Sequence, residues 1–301
     1  MIVAYGFEYL VMAVNNARTI RATNPGVAIT LVTNAPDDWE VLREEFDRVV
    51  FRDEPDEANR LAKIRCHEVA TAERVLYLDA DAEVLGDLTP AFQLLDTFDL
   101  LIRPFDLPSK FPHLLGPGLD GQLLPQFWGG MAFFHRLRAR PLFERWERRF
   151  RSSGLHRDQP ALARAIYDSP EVRLLPMNSV WGSFRRTGSG SDRPAPRVFH
   201  YADVSNDAQA LAHCREVLAA LTARIPSSSV DVADTKRRFD RLASPLYRSR
   251  LTNRGARAWW RWSDRRQGRS GIDTRKKQPH VSGRPLSREE GPLWTEEVNG
   301  H

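Results

Sequence analysis

Two carboxylates separated by a single alanine, Asp79 and Asp81 around Ala80, follow the run Val75-Leu76-Tyr77-Leu78. Four consecutive apolar residues without polar alternation suit a strand covered on both faces, as at the centre of a parallel sheet. The acids then stand at its carboxyl end, the edge of an open α/β sheet where ligands bind. On extended backbone leaving the sheet, both can turn toward a divalent cation. The plain alternative is a solvated strand exit, because Asp is common in turns.

The surrounding pattern supplies the elements needed to carry this pair to a sheet edge. Ile2 to Ala4 form a first strand, and Glu8 to Thr23 a helix stopped by Asn24-Pro25-Gly26. A strand at 27–32, a helix at 39–46 and a strand at 49–51 follow. Leu61, Ile64 and Val69 then lie on a helix reaching about Ala72, ahead of the strand that delivers the acids. Further on come a helix at 88–95, a strand at 100–102, and a Pro/Gly-rich loop at 109–126 suited to closing over a site. A strand at 131–134, helices at 141–150 and 158–167, short strands at 172–175 and 198–201, and a helix through Leu211, Leu218 and Leu221 complete the pattern. Strands alternating with helices predict a Rossmann-like α/β fold with a mostly parallel sheet.

The 301 residues carry a net charge of +5 that is unevenly placed. Residues 227–301 hold about 17 Lys and Arg against about 9 Asp and Glu, whereas residues 1–226 are slightly acidic. A catalytic domain at 1–226 is therefore predicted, followed by a basic tail at 227–301 that is largely disordered apart from a short helix near Lys236 to Tyr247. Its cluster Trp259-Trp260-Arg261-Trp262 combines cationic and interfacial side chains, which suits peripheral contact with an anionic membrane; a solvated extension is the bland reading. Cys66 and Cys214 lie far apart without metal-site spacing and read as reduced core thiols. No cation precedes Arg18 and no apolar run is long enough to span a bilayer, so a soluble cytoplasmic protein is expected.

Six landmarks in order resemble the nucleotide-diphosphosugar transferases of the A-type fold. They are Lys63, Leu-Tyr-Leu-Asp-Ala-Asp at 76–81, Phe-Trp-Gly-Gly-Met-Ala-Phe-Phe at 127–134, Asp158-Gln159, Leu-Pro-Met-Asn at 175–178 and Val-Phe-His-Tyr at 198–201. Covering about residues 1–203, they are most similar to the retaining group that includes glycogenin and bacterial lipopolysaccharide galactosyltransferases. The resemblance implies a glycosyltransferase that moves a hexose from a nucleotide diphosphate, UDP above all, to a glycan or glycolipid hydroxyl. It further implies that His200 joins Asp79 and Asp81 around a metal ion; oxygen and imidazole ligands beside phosphates suit Mn2+, or else Mg2+. Lys63, with Arg60 on the same helix face, would neutralise the diphosphate. Ala4 and Tyr5 would border the nucleotide base, with Tyr5 stacking on it or else plugging the core.

By the same resemblance Asp158 and Gln159 would flank the transferred sugar, although Asp158 also suits a helix N-cap. Gly129 and Gly130 would let backbone approach the ligand, Trp128 would shape the acceptor side by stacking on a sugar face, and Asn178 would contact substrate. Two departures stand out. Trp128-Gly129 replaces a polar Asn and Ser pair, and Tyr-Ala-Asp follows His200 where the group has a glycine and a phosphate-binding Lys-Pro-Trp unit. Arg185 and Arg186 are candidates to replace that phosphate contact, with an ordinary basic loop as the plain alternative. The same diacid suits a haloacid dehalogenase-like phosphatase, but that group opens its domain with the pair and needs a later acidic pair. A sugar nucleotidylyltransferase would need a glycine-rich, Arg-containing loop after the first strand. A non-enzymatic membrane- or nucleic-acid-binding module would rest on the tail alone, and no nucleic-acid partner is expected.

Overall fold

The computed structural model describes residues 1–105, 125–154, 158–186, 194–202, 204–225 and 230–244. Most of the expected closing loop, and the tail beyond residue 244 with its tryptophan cluster, lie outside these residues.

The chain opens with β1 (Ile2–Ala4), α1 (Phe7–Thr23), β2 (Thr30–Thr33), α2 (Val41–Glu45) and β3 (Arg48–Phe51). A short 3-10 turn, α3 (Asn59–Ile64) and α4 (Cys66–Val69) lead to β4 (Arg74–Asp79), the strand that carries the first acid. Thereafter come β5 (Ala82–Val84), α5 (Thr89–Leu94), β6 (Leu100–Phe105), β7 (Gln126–His135), α6 (Arg140–Ser153) and α7 (Gln159–Tyr167). The chain continues through β8 (Leu174–Pro176), β9 (Val198–His200), α8 (Ala208–Thr222) and α9 (Val230–Ala243).

Seven strands form one sheet in the order β3-β2-β1-β4-β7-β6-β8, and only β7 runs against its neighbours. The reversal at β7 is the main departure from the expected pattern. A strand at 131–134 was readable from its apolar run, but β7 begins at Gln126 and takes in Trp128-Gly129-Gly130. These three residues are therefore strand residues, all buried, rather than part of a loop. The helix ahead of β4 is also broken, with Arg65 leaving helical geometry and pairing with Glu147 on α6 at 2.7 Å.

A second sheet pairs β5 with β9 in antiparallel register, Ala82 opposite His200. One face of the main sheet packs Val3, Tyr77, Ile102 and Phe134 against Ile64, Phe143, Trp146 and Leu162 from α3, α6 and α7. Cys66 and Cys214 are free and buried, and burial pushes both thiols up to about 12. Among the described residues no helix is long and apolar enough to cross a membrane. The compact unit extends through Ser244, past the point near residue 226 where the sequence pattern fades, because α9 packs on α8 and α1.

Asp99, 4% exposed, stitches together the half of the sheet that follows the diacid. Its Oδ2 accepts from the Arg173 backbone N–H at 3.0 Å, and its carboxylate pairs with Arg173 at 2.8 Å and Arg138 at 2.5 Å. Its carbonyl accepts from His135 at the end of β7. Burial opposes ionisation of Asp99, but the Arg173 and Arg138 hydrogen bonds outweigh it and hold the carboxyl well below its ordinary 3.8. A depressed folded value means a contribution fully present above about pH 4 and lost as pH falls through the lower value. Asp99→Asn is expected to cost roughly 2 kcal/mol at pH 7. The gap from the native chain should narrow in urea melts as the pH drops below about 4.

Candidate active site

Strand β4 places Tyr77 and Asp79 on one face, since side chains two apart on a strand point the same way. Tyr77 donates its hydroxyl to Asp79 Oδ1 at 2.8 Å, and the buried Asn16 amide of α1 donates to the Asp79 carbonyl at 3.1 Å. After Ala80, Asp81 leads into β5, whose pairing with β9 brings His200 across from the diacid. His200 Nε2–H donates to Asp81 Oδ1 at 2.7 Å and stands 3.9 Å from Asp79 Oδ2. One ligand atom from each of Asp79, Asp81 and His200 falls within 4.8 Å of the others. Burial disfavours the His200 imidazolium, but the Asp81 hydrogen bond and the two carboxylate charges raise its pKa.

Lys63 occupies the other side of Asp79. Its Nζ lies 3.1 Å from Asp79 Oδ1 and 3.2 Å from Asp158 Oδ2, and the residue is 8% exposed. Desolvation alone would lower an ammonium pKa; here Asp158 and Asp79 reverse the effect and raise it. Lys63 is thus a cross-brace between two acids rather than an open phosphate contact. Asp158 occupies the N-cap position of α7, but its side chain makes no cap hydrogen bond, because the carboxylate turns to Lys63. Gln159 follows it, half-buried in the first turn of that helix.

Behind the acids the packing is steric. Trp128 is 1% exposed, with its ring 5.1 Å from that of His200 and 5.2 Å from that of Phe184. The indole is therefore a wedge beneath His200 and offers no open face to a sugar, contrary to expectation. A Cβ on Gly130 would stand 2.4 Å from Trp128 Nε1 and 2.6 Å from Asp79 Oδ2. Gly182 meets the same indole at its six-membered ring, where a Cβ would come within 2.4 Å of Trp128 Cζ3. Gly129 is milder, with its nearest contacts at 3.2 Å from Leu162 and 3.4 Å from Lys63 Nζ.

Other expected residues are placed differently. Ala4 is buried at the end of β1, and Tyr5, 1% exposed, donates to Glu54 at 2.5 Å. Its ring plugs the core, so no face is open for a nucleotide base. Asn178 is exposed and folds back to accept from the Val180 N–H at 3.0 Å, closing its own turn. Arg186 pairs with Glu83 at 2.6 Å and Asp207 at 2.8 Å, which commits it elsewhere, while Arg185 is exposed.

Glu83, 0% exposed, was missed in the sequence. Besides Arg186, it accepts from Asn15 at 2.9 Å and His213 at 3.0 Å, joining α1, β5, α8 and the segment after β8. The signal for it was the pair Asn15-Asn16 in the otherwise apolar stretch of α1. Polar residues facing a core need polar partners.

No protein-family model and no curated protein matches the chain. Among solved structures, galactosyltransferase LgtC in complex with donor and acceptor sugar analogs aligns at TM-score 0.50 with 16% identity, covering 78% of this chain and 100% of that one. The fold is that of the A-type glycosyltransferases. Apo mouse xyloside xylosyltransferase 1 aligns at TM-score 0.45 with 13% identity, over 66% of this chain and 96% of its own. The glycosyltransferase GlyE of Streptococcus pneumoniae TIGR4 aligns at 0.47 with 16% identity, over 76% and 66% respectively. An A-type fold excludes the phosphatase architecture weighed for the same diacid.

On this A-type scaffold the donor chemistry fits a divalent ion. Neighbouring ligand atoms of one six-coordinate ion stand about 3 Å apart; His200 Nε2 lies 2.7 Å from Asp81 Oδ1 and 3.9 Å from Asp79 Oδ2, and one ligand atom of each residue lies within 4.8 Å of the others. Manganese accepts such a mixed carboxylate and imidazole set. Gly130→Ala forces either Trp128 or Asp79 aside and is expected to cost about 1–3 kcal/mol. It should also weaken Mn2+ binding at least tenfold, read by electron paramagnetic resonance titration alongside a urea melt. Unchanged Mn2+ affinity would show that the close approach at Gly130 does not set the geometry of the acids.

Proposed function

We propose that this chain is a metal-dependent glycosyltransferase, moving a hexose from UDP to a hydroxyl of a glycan or glycolipid with retention of anomeric configuration. The observation that carries this reading is the convergence of Asp79, Asp81 and His200 at the carboxyl edge of an A-type sheet. The solved LgtC galactosyltransferase with donor and acceptor sugar analogs is a fold neighbour consistent with it.

Asp79, Asp81 and His200 would hold Mn2+, or Mg2+, whose charge stabilises the departing diphosphate. Lys63 keeps Asp158 and Asp79 oriented while cancelling part of their mutual repulsion. Arg60 is exposed one turn earlier on α3 and has no carboxylate partner among the described residues, so it is the cation available to phosphate oxygens. Asp158 accepts from hydroxyls of the donor sugar, and the neighbouring Gln159 amide borders the anomeric carbon. Gly129 and Gly130 keep the strand beside them free of side chains.

Saturating UDP with Mn2+ should raise the melting temperature by roughly 5 °C or more, as expected for a ligand near 100 times its Kd. Asp81→Ala should abolish the Mn2+-dependent part. A panel of nucleotide sugars assayed for hydrolysis then identifies the donor; an undiminished Mn2+ response in the variant would remove Asp81 from the site.

For a lipid-linked acceptor, the basic segment holding Trp259, Trp260 and Trp262 brings the enzyme to the cytoplasmic face of a membrane. Salt-sensitive sedimentation with anionic vesicles should disappear on truncation after Ser244, a cut that spares the packed α9. Equal sedimentation of the truncated chain would dismiss the role.

A further inference from the structure

Strands β5 and β9 form a ribbon of three residues each, and among the described residues their only further strand contact is a bridge from Ser183 to Phe199. A two-stranded ribbon of this size is marginal alone. Yet it is the element that brings His200 to 2.7 Å from Asp81, so it has to be fixed from outside its own ladder. Thr19 of α1 accepts from the Val84 N–H at 2.9 Å, which ties down β5 but not β9.

Glu83, at the middle of β5, reaches both strands. Its side chain is wholly enclosed, with Oε1 accepting from Asn15 of α1 at 2.9 Å and from His213 of α8 at 3.0 Å. Its Oε2 stands 2.6 Å from Arg186. The Arg186 guanidinium in turn lies 4.5 Å from the centre of the Phe199 ring and pairs with Asp207, the N-cap of α8, at 2.8 Å. Phe199 is the register partner of Glu83, so one ion pair grips β5 and β9 beside the paired residues Ala82 and His200. Backbone bonds carry the grip onward: Tyr201 donates to the Asp81 carbonyl at 3.1 Å, and His200 to the Ser183 carbonyl at 2.8 Å.

A carboxylate taken out of water is costly unless ordered partners come with it. Apolar contact could hold the ribbon to its helices, but the attraction has no direction. Charge-assisted hydrogen bonds fix separation and angle.

We propose that Glu83 and Arg186 are positioning residues that set the separation of Asp81 from His200 and, through it, the affinity for the divalent ion. The second half rests on the glycosyltransferase reading above. Neither residue belongs to the ligand set.

Mn2+ titrations of the full chain by electron paramagnetic resonance, without nucleotide, separate position from charge. Glu83→Gln removes a negative charge and Arg186→Gln a positive one, so a purely electrostatic influence would weaken ion binding in the first and tighten it in the second. Positioning weakens it in both, by roughly three- to tenfold, less than groups that touch ligands directly. Asp99→Asn makes the same carboxylate-to-amide change just before β6; it should lower stability in a urea melt yet leave Mn2+ affinity within about twofold. In the metal-free chain, the imidazole N–H signal of His200 in NMR, identified by its loss in His200→Ala, should move in Glu83→Gln and Arg186→Gln and stay in place in Asp99→Asn.

Tighter Mn2+ binding by Arg186→Gln, or unchanged binding by either variant, would overturn the proposal. So would an unmoved His200 signal in both, or an equal loss of Mn2+ affinity in Asp99→Asn. Should Glu83→Gln not fold, the sign of the change in Arg186→Gln decides. A native chain that binds no Mn2+ fails the underlying reading instead, and the metal-free His200 signal then decides the positioning role by itself.

Discussion

A single buried ammonium makes this cluster of acids tenable. Asp79 and Asp158 come from elements almost 80 residues apart, and Lys63 stands within about 3 Å of both. Two carboxylates brought together at a sheet edge without a counter-charge would take up a proton or move apart. The same principle governs the rest of the neighbourhood. Asp81 is paired with His200, and Glu83 with Arg186 and His213, so every acid between residues 79 and 83 has a basic partner. A cation arriving between Asp79, Asp81 and His200 would enter a site in which Asp79 is already held by hydrogen bonds from outside the set, Tyr77 to its carboxylate and Asn16 to its backbone carbonyl. Such support from behind is what fixes ligand orientation.

Sterics set the second constraint. The antiparallel strand β7 runs alongside β4 and would crowd the acids wherever it bore a side chain facing them. Gly130 removes that side chain at the closest approach, and Trp128 uses the space left beside it. The backbone at Gly182 approaches the same indole at its six-membered ring, where a Cβ would again collide. The tryptophan thus converts the reversal of one strand into a rigid floor beneath His200.

Much of this was legible in the sequence, because it depended on local pattern. The apolar run at 75–78 announced a buried strand, alternation of strand and helix announced the sheet, and the order of short motifs pointed to the A-type fold. What stayed hidden depended on partners distant in the chain. Whether Lys63 faces phosphate or bridges two acids is decided by α7, and whether Tyr5 stacks or plugs is decided by Glu54. Trp128 looked like a ligand contact because its residue type suits one, yet burial is a property of the assembled sheet. Helix α9 was only partly readable: its polar, Arg-rich sequence resembles a solvated tail, while Val232, Phe239 and Leu242 are buried.

The contact of Trp128 with two glycines also bears on how this sheet edge can change over time. Neither glycine can acquire a side chain while the indole remains, and a smaller residue in place of the indole would leave a void under the histidine. Single steps at Trp128 or Gly182 pass through a damaged intermediate, so those two positions are free to drift only together. A lineage that replaced the tryptophan would be expected to carry a new side chain at position 182 and still to keep glycine at 130, where the acid at 79 leaves no room for one.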